Sequence, residues 1–518
     1  MKRLRRLCAV AAGKDAREMR RQVRLALRET PTVELRLDWL RSNAERGRFL
    51  RWLGQQKFAG AKFIATCRRV EGGGCFTGDV REELNWLARA REAGCSWCDL
   101  EVESIRKLPR RSLQAAREAG VPSCVLLSVH DFARTPPLPK SLATGIYAEA
   151  DAVKIAAHAA RLGDGLRLLR LAKQSRNFVG VPMGEVGLPL RMLALREGSS
   201  LTYAPVADAT APGQVSLREM KELYRVHQLN GATKVYGVIG APIGHSLSPL
   251  MHNTGFAARR LNAVYLPFLV HKVSEFLAVA PEIGVRGFSV TLPHKQTILK
   301  HLQTCDDLAS DIGAVNTVTV GSDGSLHGFN TDYLGVLRTL ESRVRLKKSR
   351  VLIFGAGGSA RAAAFALARS GASVVICARR EEVARELARA CGGEVVPRRA
   401  LLTEKFDVVL NATPVGMHPR AGVSPLAPRE LHCRVVMDLI YRPKRTELLK
   451  IAARKGIAGI SGVEMFIAQG VAQWEMWTGK RAPEAEMRAA VLVALKEEAR
   501  AAAYEPVRAA RNSLRGRA

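Results

Sequence analysis

The sequence predicts an α/β chain in two parts: a parallel (β/α)8 TIM barrel over the first 230 residues, then an open α/β region ending in a Rossmann-type domain. Three observations carry this. About eight short apolar runs alternate with stretches of helical periodicity between Leu7 and Val206. Further on, Val351-Leu-Ile-Phe-Gly355-Ala356-Gly357-Gly358-Ser359-Ala360-Arg361 sets a strand, a G-x-G-x-x-G/A fingerprint and a helix start in that order. Between the two, several apolar strands end in polar residues, where ligands bind in open α/β sheets.

Length and composition agree. A chain of 518 residues is too long for one core, and 47% hydrophobic with 25% charged residues is a globular balance. The net charge of +32 divides evenly: residues 1–230 hold 40 Lys+Arg and 24 Asp+Glu, giving +16, and the remainder (80 − 40 and 48 − 24) gives +16 again. Spread in this way, with few aromatics interleaved, it describes a basic surface that steers anionic substrates and not a nucleic-acid patch. The apolar part of Met1–Gly13 is too short for a signal peptide and is expected to be a first buried strand. No apolar run approaches the roughly 18 residues of a membrane span. Ten scattered cysteines imply reduced thiols and a cytoplasmic home. Cys95-Ser-Trp-Cys98 has no partner pair for zinc, so it is taken as core, and no metal is expected.

The expected barrel strands are Leu7–Val10, Val33–Trp39, Lys62–Cys67, Cys98–Val102, Cys124–Val129, Ala152–Ala156, Phe178–Met183 and Leu201–Val206, with helices such as Arg81–Ala93 and Arg161–Lys173 between them. In Val33-Glu-Leu-Arg-Leu-Asp38, strand periodicity puts Glu34, Arg36 and Asp38 on one face. A barrel strand packs its apolar face on the helices, so these charges must line the mouth. Ser128 and His130 repeat the pattern. Lys154, in Ala152-Val-Lys-Ile-Ala156, is either an edge-strand guard or a buried, functional amine. The functional alternative is imine formation with a ketone, which needs the neutral amine; an ordinary lysine supplies about one in a few thousand at pH 7. Cationic neighbours such as Arg68 and Arg191 would favour it. A histidine could then remove the neighbouring proton.

With these motifs, residues 1–225 resemble type I 3-dehydroquinate dehydratase. The resemblance implies that Lys154 forms the Schiff base, that His130 is the general acid/base and that Glu71, in Glu71-Gly-Gly, orients it. It also implies substrate contacts at Glu34, Arg36, Arg68, Arg191, Thr210 and Gln214. There are departures: the gap from Arg68 to Glu71 is one residue short, leaving Arg69 as an alternative to Arg68. Leu190 and Thr210 stand where serines are common in the family.

After the polar link Val226–Thr233, a second α/β region starts at Lys234. Ser246 and Ser248, beside a helix start at Pro249, form either a carboxylate cradle or ordinary caps. Ser289-Val-Thr291-Leu-Pro-His-Lys295, Gly313-Ala-Val-Asn316-Thr317 and Gly328-Phe-Asn-Thr-Asp332 each close an apolar strand with polar groups. In the fingerprint, Gly355 permits the turn, Gly357 the approach of a pyrophosphate and Ala360 close helix–strand packing. The next strand, Ala372–Ala378, ends in Arg379-Arg380 where an NAD site usually carries an acid. Two guanidiniums suit a 2′-phosphate, so the expected cofactor is NADP(H); a solvated helix start with Glu381 and Glu382 is the alternative.

Residues 234–490 resemble shikimate dehydrogenase along their length. The resemblance implies a substrate lobe at 234–335, an NADP-binding lobe at 336–490 whose last helices return to the substrate lobe, and a basic tail at 491–518 with no assigned role. It pairs Lys295 with Asp332 for proton transfer and places Ser246, Ser248, Thr291, Asn316, Tyr441 and Gln469 on the substrate. Gly355, Ala356, Gly357, Gly358, Ser359, Ala360, Arg379, Arg380, Thr413, Leu439, Gly462 and Asp307 would meet the cofactor. Together the two resemblances imply one bifunctional enzyme. It would dehydrate 3-dehydroquinate to 3-dehydroshikimate and reduce that to shikimate with NADPH, with small molecules as partners and neither nucleic acid nor membrane. The alternatives are an impaired barrel, quinate as redox substrate, or a basic nucleic-acid-binding protein.

Overall fold

A computed structural model describes residues 6–515, apart from 109–111, 139–141, 143, 207–214, 245 and 418–420; the side chains of 501–515 are also outside the description. The chain divides into two compact units, one of residues 1–235 with 262–284, the other of 236–261 with 285–518.

Eight strands of the first unit form one sheet: β1 (Leu7–Ala11), β2 (Thr32–Arg36), β3 (Lys62–Thr66), β4 (Trp97–Glu101), β5 (Cys124–Asp131), β6 (Ala152–His158), β7 (Phe178–Met183) and β8 (Thr202–Pro205). They lie in the order β7–β6–β5–β4–β3–β2–β1–β8 as a nearly closed parallel barrel. Helices cross between strands, and their caps are readable: Asp79 and Glu82 form a capping box that opens the helix Val80–Glu92. Strand β2 ends three residues earlier than the sequence implies. After Arg36 the chain curls into a 3-10 turn, Leu37–Trp39, because Asp38 folds back to accept both Arg36 Nε and Nη2, at 2.9 and 2.7 Å.

Alternation sorts the barrel strands into two populations. Val153, Ile155 and Ala157 of β6 face outward and pack with Leu168 and Leu171 of the helix Leu162–Gln174. Cys8, Ile64, Trp97, Leu126, Ala152 and Val179 face inward and form an apolar plug. Two residues further along the same inward faces come Thr66, Asp99, Ser128 and Lys154, and then Glu101 and His130. The barrel therefore has a dry floor and a polar ceiling at the strand C-termini, where such barrels act.

In the second unit, a sheet runs Lys234–Gly240, Val285–Val290, Thr317–Val320, Leu326–Phe329, Thr304–Cys305, with antiparallel pairs in its middle. A second sheet runs Glu394–Val395, Ser373–Cys377, Arg350–Phe354, Phe406–Asn411, Cys433–Asp438, Ala458–Ser461, parallel throughout. Numbered along the chain this is the order 3-2-1-4-5-6 of a doubly wound dinucleotide fold, and it reverses between Arg350–Phe354 and Phe406–Asn411. The helix Gly358–Arg369 packs on this sheet through Ala360, Ala362, Ala363, Ala364 and Ala366, all small enough for close approach. Among the described residues no helix is long and apolar enough to cross a membrane.

Candidate active sites

Lys154 is 3% exposed and lies on β6 between β5 and β7, so it guards no sheet edge. Its ammonium donates to Asp99 Oδ2 and stands 4.7 Å from the Tyr203 ring centroid. Asp99 Oδ1 accepts from Ser128 Oγ at 2.6 Å, and Arg68 Nη2 lies 3.4 Å away. Burial would raise the Asp99 carboxyl, but Lys154 and Arg68 outweigh it and hold the group well below the usual carboxylate range. The buried cation is thus paired, which is the condition for its burial. The two arginines expected beside Lys154 separate. Arg68 joins it through Asp99, whereas Arg191 donates its Nε to Pro182 O at 2.8 Å. Burial brings Arg191 down to about 10.

His130, buried on the neighbouring strand, has Nδ1 3.2 Å from Glu101 Oε1. Burial pushes the imidazole well below its ordinary value, and the cations Arg68 and Lys154 add to this. Glu34 Oε1 accepts from Thr66 Oγ1 at 2.7 Å on the same inward face. Thr210 and Gln214 fall outside the described residues.

Glu71 requires a correction. It lies on the 3-10 turn Val70–Gly72 with its side chain 59% exposed, where it accepts from Lys107 at 2.5 Å and from Arg69 at 3.0 Å. The one-residue shortening after Arg68 explains this. Arg68 points inward to Asp99 and Glu101, Arg69 turns to the buried Glu83 at 3.2 Å, and Glu71 is left on the outer side. The carboxylate beside His130 is Glu101. Sequence reasoning passed over Glu101 and Asp99, although Trp97-Cys-Asp99-Leu-Glu101 alternates as Glu34 and Arg36 do.

In the second unit, Lys295 Nζ donates to Asp332 Oδ2 at 2.5 Å and lies 3.4 Å from Ser359 Oγ. Asp332 opens the helix Asp332–Glu341, and its Oδ1 accepts from Asn316 Nδ2 at 2.8 Å. Asn316 is held in turn by Gln473, which the sequence did not single out: Gln473 Nε2 reaches Asn316 O at 3.3 Å and Thr317 Oγ1 at 3.0 Å, while its Oε1 accepts from Ser289 at 2.9 Å. Ser246 Oγ accepts the backbone N–H of Ser248 at 3.2 Å and also meets the Tyr441 side chain. Tyr441 stacks on Phe466 at 4.3 Å, and Gln469 donates to Phe466 O at 2.8 Å. Thr291 packs its methyl against Gly240, where a Cβ would come within 2.5 Å.

The fingerprint has the shape a dinucleotide needs. Gly355 has φ +120° and would place a Cβ 3.1 Å from Thr413 Cγ2, so only glycine closes that turn. A Cβ on Gly357 would point into open space, the approach a pyrophosphate requires. The helix Gly358–Arg369 has no side-chain cap, leaving its first N–H groups for an anion. Gly462 packs on Leu439 O, where a Cβ would lie at 2.4 Å, and Leu439 N donates to Asn411 O at 3.0 Å beside Thr413. Arg379 and Arg380 are exposed at the end of Ser373–Cys377, and Glu381 pairs with Arg385 at 2.6 Å. Asp307 is exposed at the start of the helix Asp307–Ile312, and no described contact brings it to the fingerprint. A Cβ on Gly358 would lie 3.4 Å from Lys295 Cδ, so the candidate proton-transfer pair and the phosphate cradle adjoin.

Over 479 residues the chain is 33% identical to the chloroplastic bifunctional 3-dehydroquinate dehydratase/shikimate dehydrogenase of Arabidopsis thaliana, covering 87% of this chain and 78% of the relative. The chain belongs to this bifunctional 3-dehydroquinate dehydratase/shikimate dehydrogenase family. The family model for type I 3-dehydroquinase matches residues 7–231. Models for the shikimate dehydrogenase substrate binding domain, shikimate/quinate 5-dehydrogenase and the shikimate 5′-dehydrogenase C-terminal domain match 238–318, 338–419 and 462–492. The second half is also 41% identical to the NADP(+) shikimate dehydrogenase of Methanothermobacter thermautotrophicus, and 42% identical to that of Moorella thermoacetica. These cover 49% and 50% of this chain and 94% and 93% of the relatives. In this bifunctional family member, Lys154 and His130 fall in the dehydroquinase match and Asn316 in the substrate-binding match.

Proposed function

We propose that the barrel dehydrates 3-dehydroquinate through an imine on Lys154 and that the second half reduces the resulting 3-dehydroshikimate to shikimate with NADPH. The observation that carries this is the presence, in one chain, of a buried lysine in a barrel mouth and of a Lys–Asp pair against a dinucleotide fingerprint.

In the barrel, the Lys154 amine attacks the ketone carbon and water leaves, forming a cationic imine. His130 removes a proton from the adjacent carbon, and the electron pair becomes an enamine. The enamine then expels the hydroxyl on the next carbon, which takes a proton from His130 and departs as water. Hydrolysis of the conjugated imine restores Lys154 and the ketone product. Asp99 offsets the cation throughout, and Glu34, Arg36, Arg68 and Arg191 hold the substrate's polar groups, with Thr210 and Gln214 assigned to the same task.

In the second half, NADPH when bound supplies the hydride. Lys295 and Asp332 provide the proton to the nascent alkoxide, and Asn316 holds Asp332. Ser246, Ser248, Thr291, Tyr441 and Gln469 orient the substrate. The backbone from Gly355 to Ala360 receives the pyrophosphate, Arg379 and Arg380 the 2′-phosphate, and Thr413, Leu439 and Gly462 line the nicotinamide side. We assign these tasks to residues 1–225, 234–335 and 336–490, with no role for 491–518. The reactions belong in the cytoplasm, where ten free thiols would persist. A coupled assay tests the whole: 3-dehydroquinate with NADPH should consume NADPH, and a preparation that consumes it only when given 3-dehydroshikimate has no working barrel.

A further inference from the structure

Three buried polar atoms converge at the top of the barrel with no well-formed hydrogen bond among the described residues: Arg68 Nε, Glu101 Oε1 and His130 Nδ1. The Glu101 oxygen lies 3.3 Å from the guanidinium and 3.2 Å from the imidazole. We infer that Glu101 is the residue that positions His130 for proton transfer and that it links this base to Arg68 on the substrate side. The inference rests on the barrel reaction proposed above and names a residue which that reaction left open.

The placement has a structural cause. Glu101 ends β4 on the inward face, four residues beyond Trp97 of the apolar plug, and its strand partner in register is Ser128, two residues before His130. The backbone of Gly72 closes over the carboxylate from outside, since a Cβ there would lie 1.9 Å from Oε2 and 2.4 Å from Cδ. The turn that carries Glu71 out to solvent therefore presses Glu101 in. A carboxylate at Nδ1 accepts a hydrogen bond from the N–H of that nitrogen, holding the proton there and leaving Nε2 as the free base. The charged and titratable groups around Glu101 are Arg68, Asp99, Glu83, Glu103 and His130. Burial pushes Glu101 up to about 8; Arg68 opposes this and the neighbouring acids reinforce it. Ionisation of Glu101, and with it the base-competent tautomer of His130, grows as pH rises toward that value.

The test is the pH profile of dehydratase kcat in the full chain, with dehydrogenase activity as the control for folding. Wild-type kcat should rise on the alkaline side of neutrality. Glu101→Gln should lower kcat by about 10²-fold, near the lower bound for a positioned acid–base group. It should also flatten that rise while still giving the borohydride-trapped adduct of 3-dehydroshikimate on Lys154. Glu71→Gln should cost less than Glu101→Gln at every pH. If Glu101→Gln also loses dehydrogenase activity, Gly72→Ala substitutes for it, because it displaces the carboxylate without removing it, and the same loss of kcat and of the alkaline rise is expected. Wild-type kcat and pH profile in the folded variant, or a larger loss from Glu71→Gln, would overturn the inference. A wild-type protein that dehydrates but never yields the Lys154 adduct would overturn the imine reaction itself, which is a separate outcome.

Discussion

Lys295 and Asp332 meet through one oxygen of the carboxylate, at 2.5 Å, while Asn316 occupies the other at 2.8 Å. The pair is therefore oriented before any ligand arrives. Its carboxylate begins a helix, where the backbone dipole favours negative charge. Lys295→Ala and Asp332→Asn should each reduce shikimate oxidation by about 10²–10⁴-fold, with dehydratase activity retained. Separate assays of the two reactions on each variant decide the matter, and a shared loss of both activities would refute the assignment.

Cofactor choice should reside in Arg379 and Arg380. Each charge-assisted hydrogen bond to a 2′-phosphate contributes about 1.5–3 kcal/mol, or roughly ten- to hundredfold in affinity. Replacing both with Ala should raise KM for NADPH by at least that factor and leave KM for NADH nearly unchanged. Equal use of the two cofactors by the unmodified enzyme would contradict this.

The fingerprint glycines should separate folding from binding. Gly355→Ala forces a side chain into φ +120° and against Thr413, at a cost of about 1–3 kcal/mol, so its thermal midpoint should fall. Gly357→Ala points into open space and should leave the midpoint alone while raising KM for NADPH. Calorimetry and steady-state kinetics on the two variants give opposite patterns if this holds.

His252 should make the second unit sensitive to acid. It is fully buried in the helix Ser248–Ala258, and burial lowers its imidazole to about 3, against an opposing hydrogen bond with Gln473. Between the unfolded value of about 6.5 and about 3, the unfolded chain binds the extra proton, so stability falls as pH falls. The slope is about 1.4 kcal/mol per pH unit, and it ends once the folded imidazole also protonates. Relative to pH 7, His252→Gln should lose about 2 kcal/mol less than wild type at pH 5. Urea midpoints at both pH values measure this, and parallel losses would dismiss it.

Much of the barrel was legible because strand periodicity is local. Phe178–Met183 is the strand expected, and of the two alternatives for Lys154 the buried one is found. Where the sequence misled, a distant side chain intervened. Asp38, taken as strand, curls onto Arg36, and Asp99 pairs with a lysine 55 positions away. Glu71 had the right motif, but the path of the turn decides which way a side chain points, and motif spacing does not contain that path. Gln473 was missed for a related reason: a buried amide bridging Asn316, Thr317 and Ser289 resembles any other helix residue until the strands it joins are in place.

The contact between Ser246 and Tyr441 has a thermodynamic consequence. Under the proposed assignment, a substrate oxygen that takes the Ser246 hydroxyl proton exchanges with the phenol, so that bond gains the difference between two hydrogen bonds and not the whole of one. Such exchanges are worth about 0.5–1.5 kcal/mol net, so this contact adds less to affinity than a hydroxyl without that partner would. Under the same assignment Tyr441 is itself a substrate contact, so the phenol released by the exchange stays available to the same ligand.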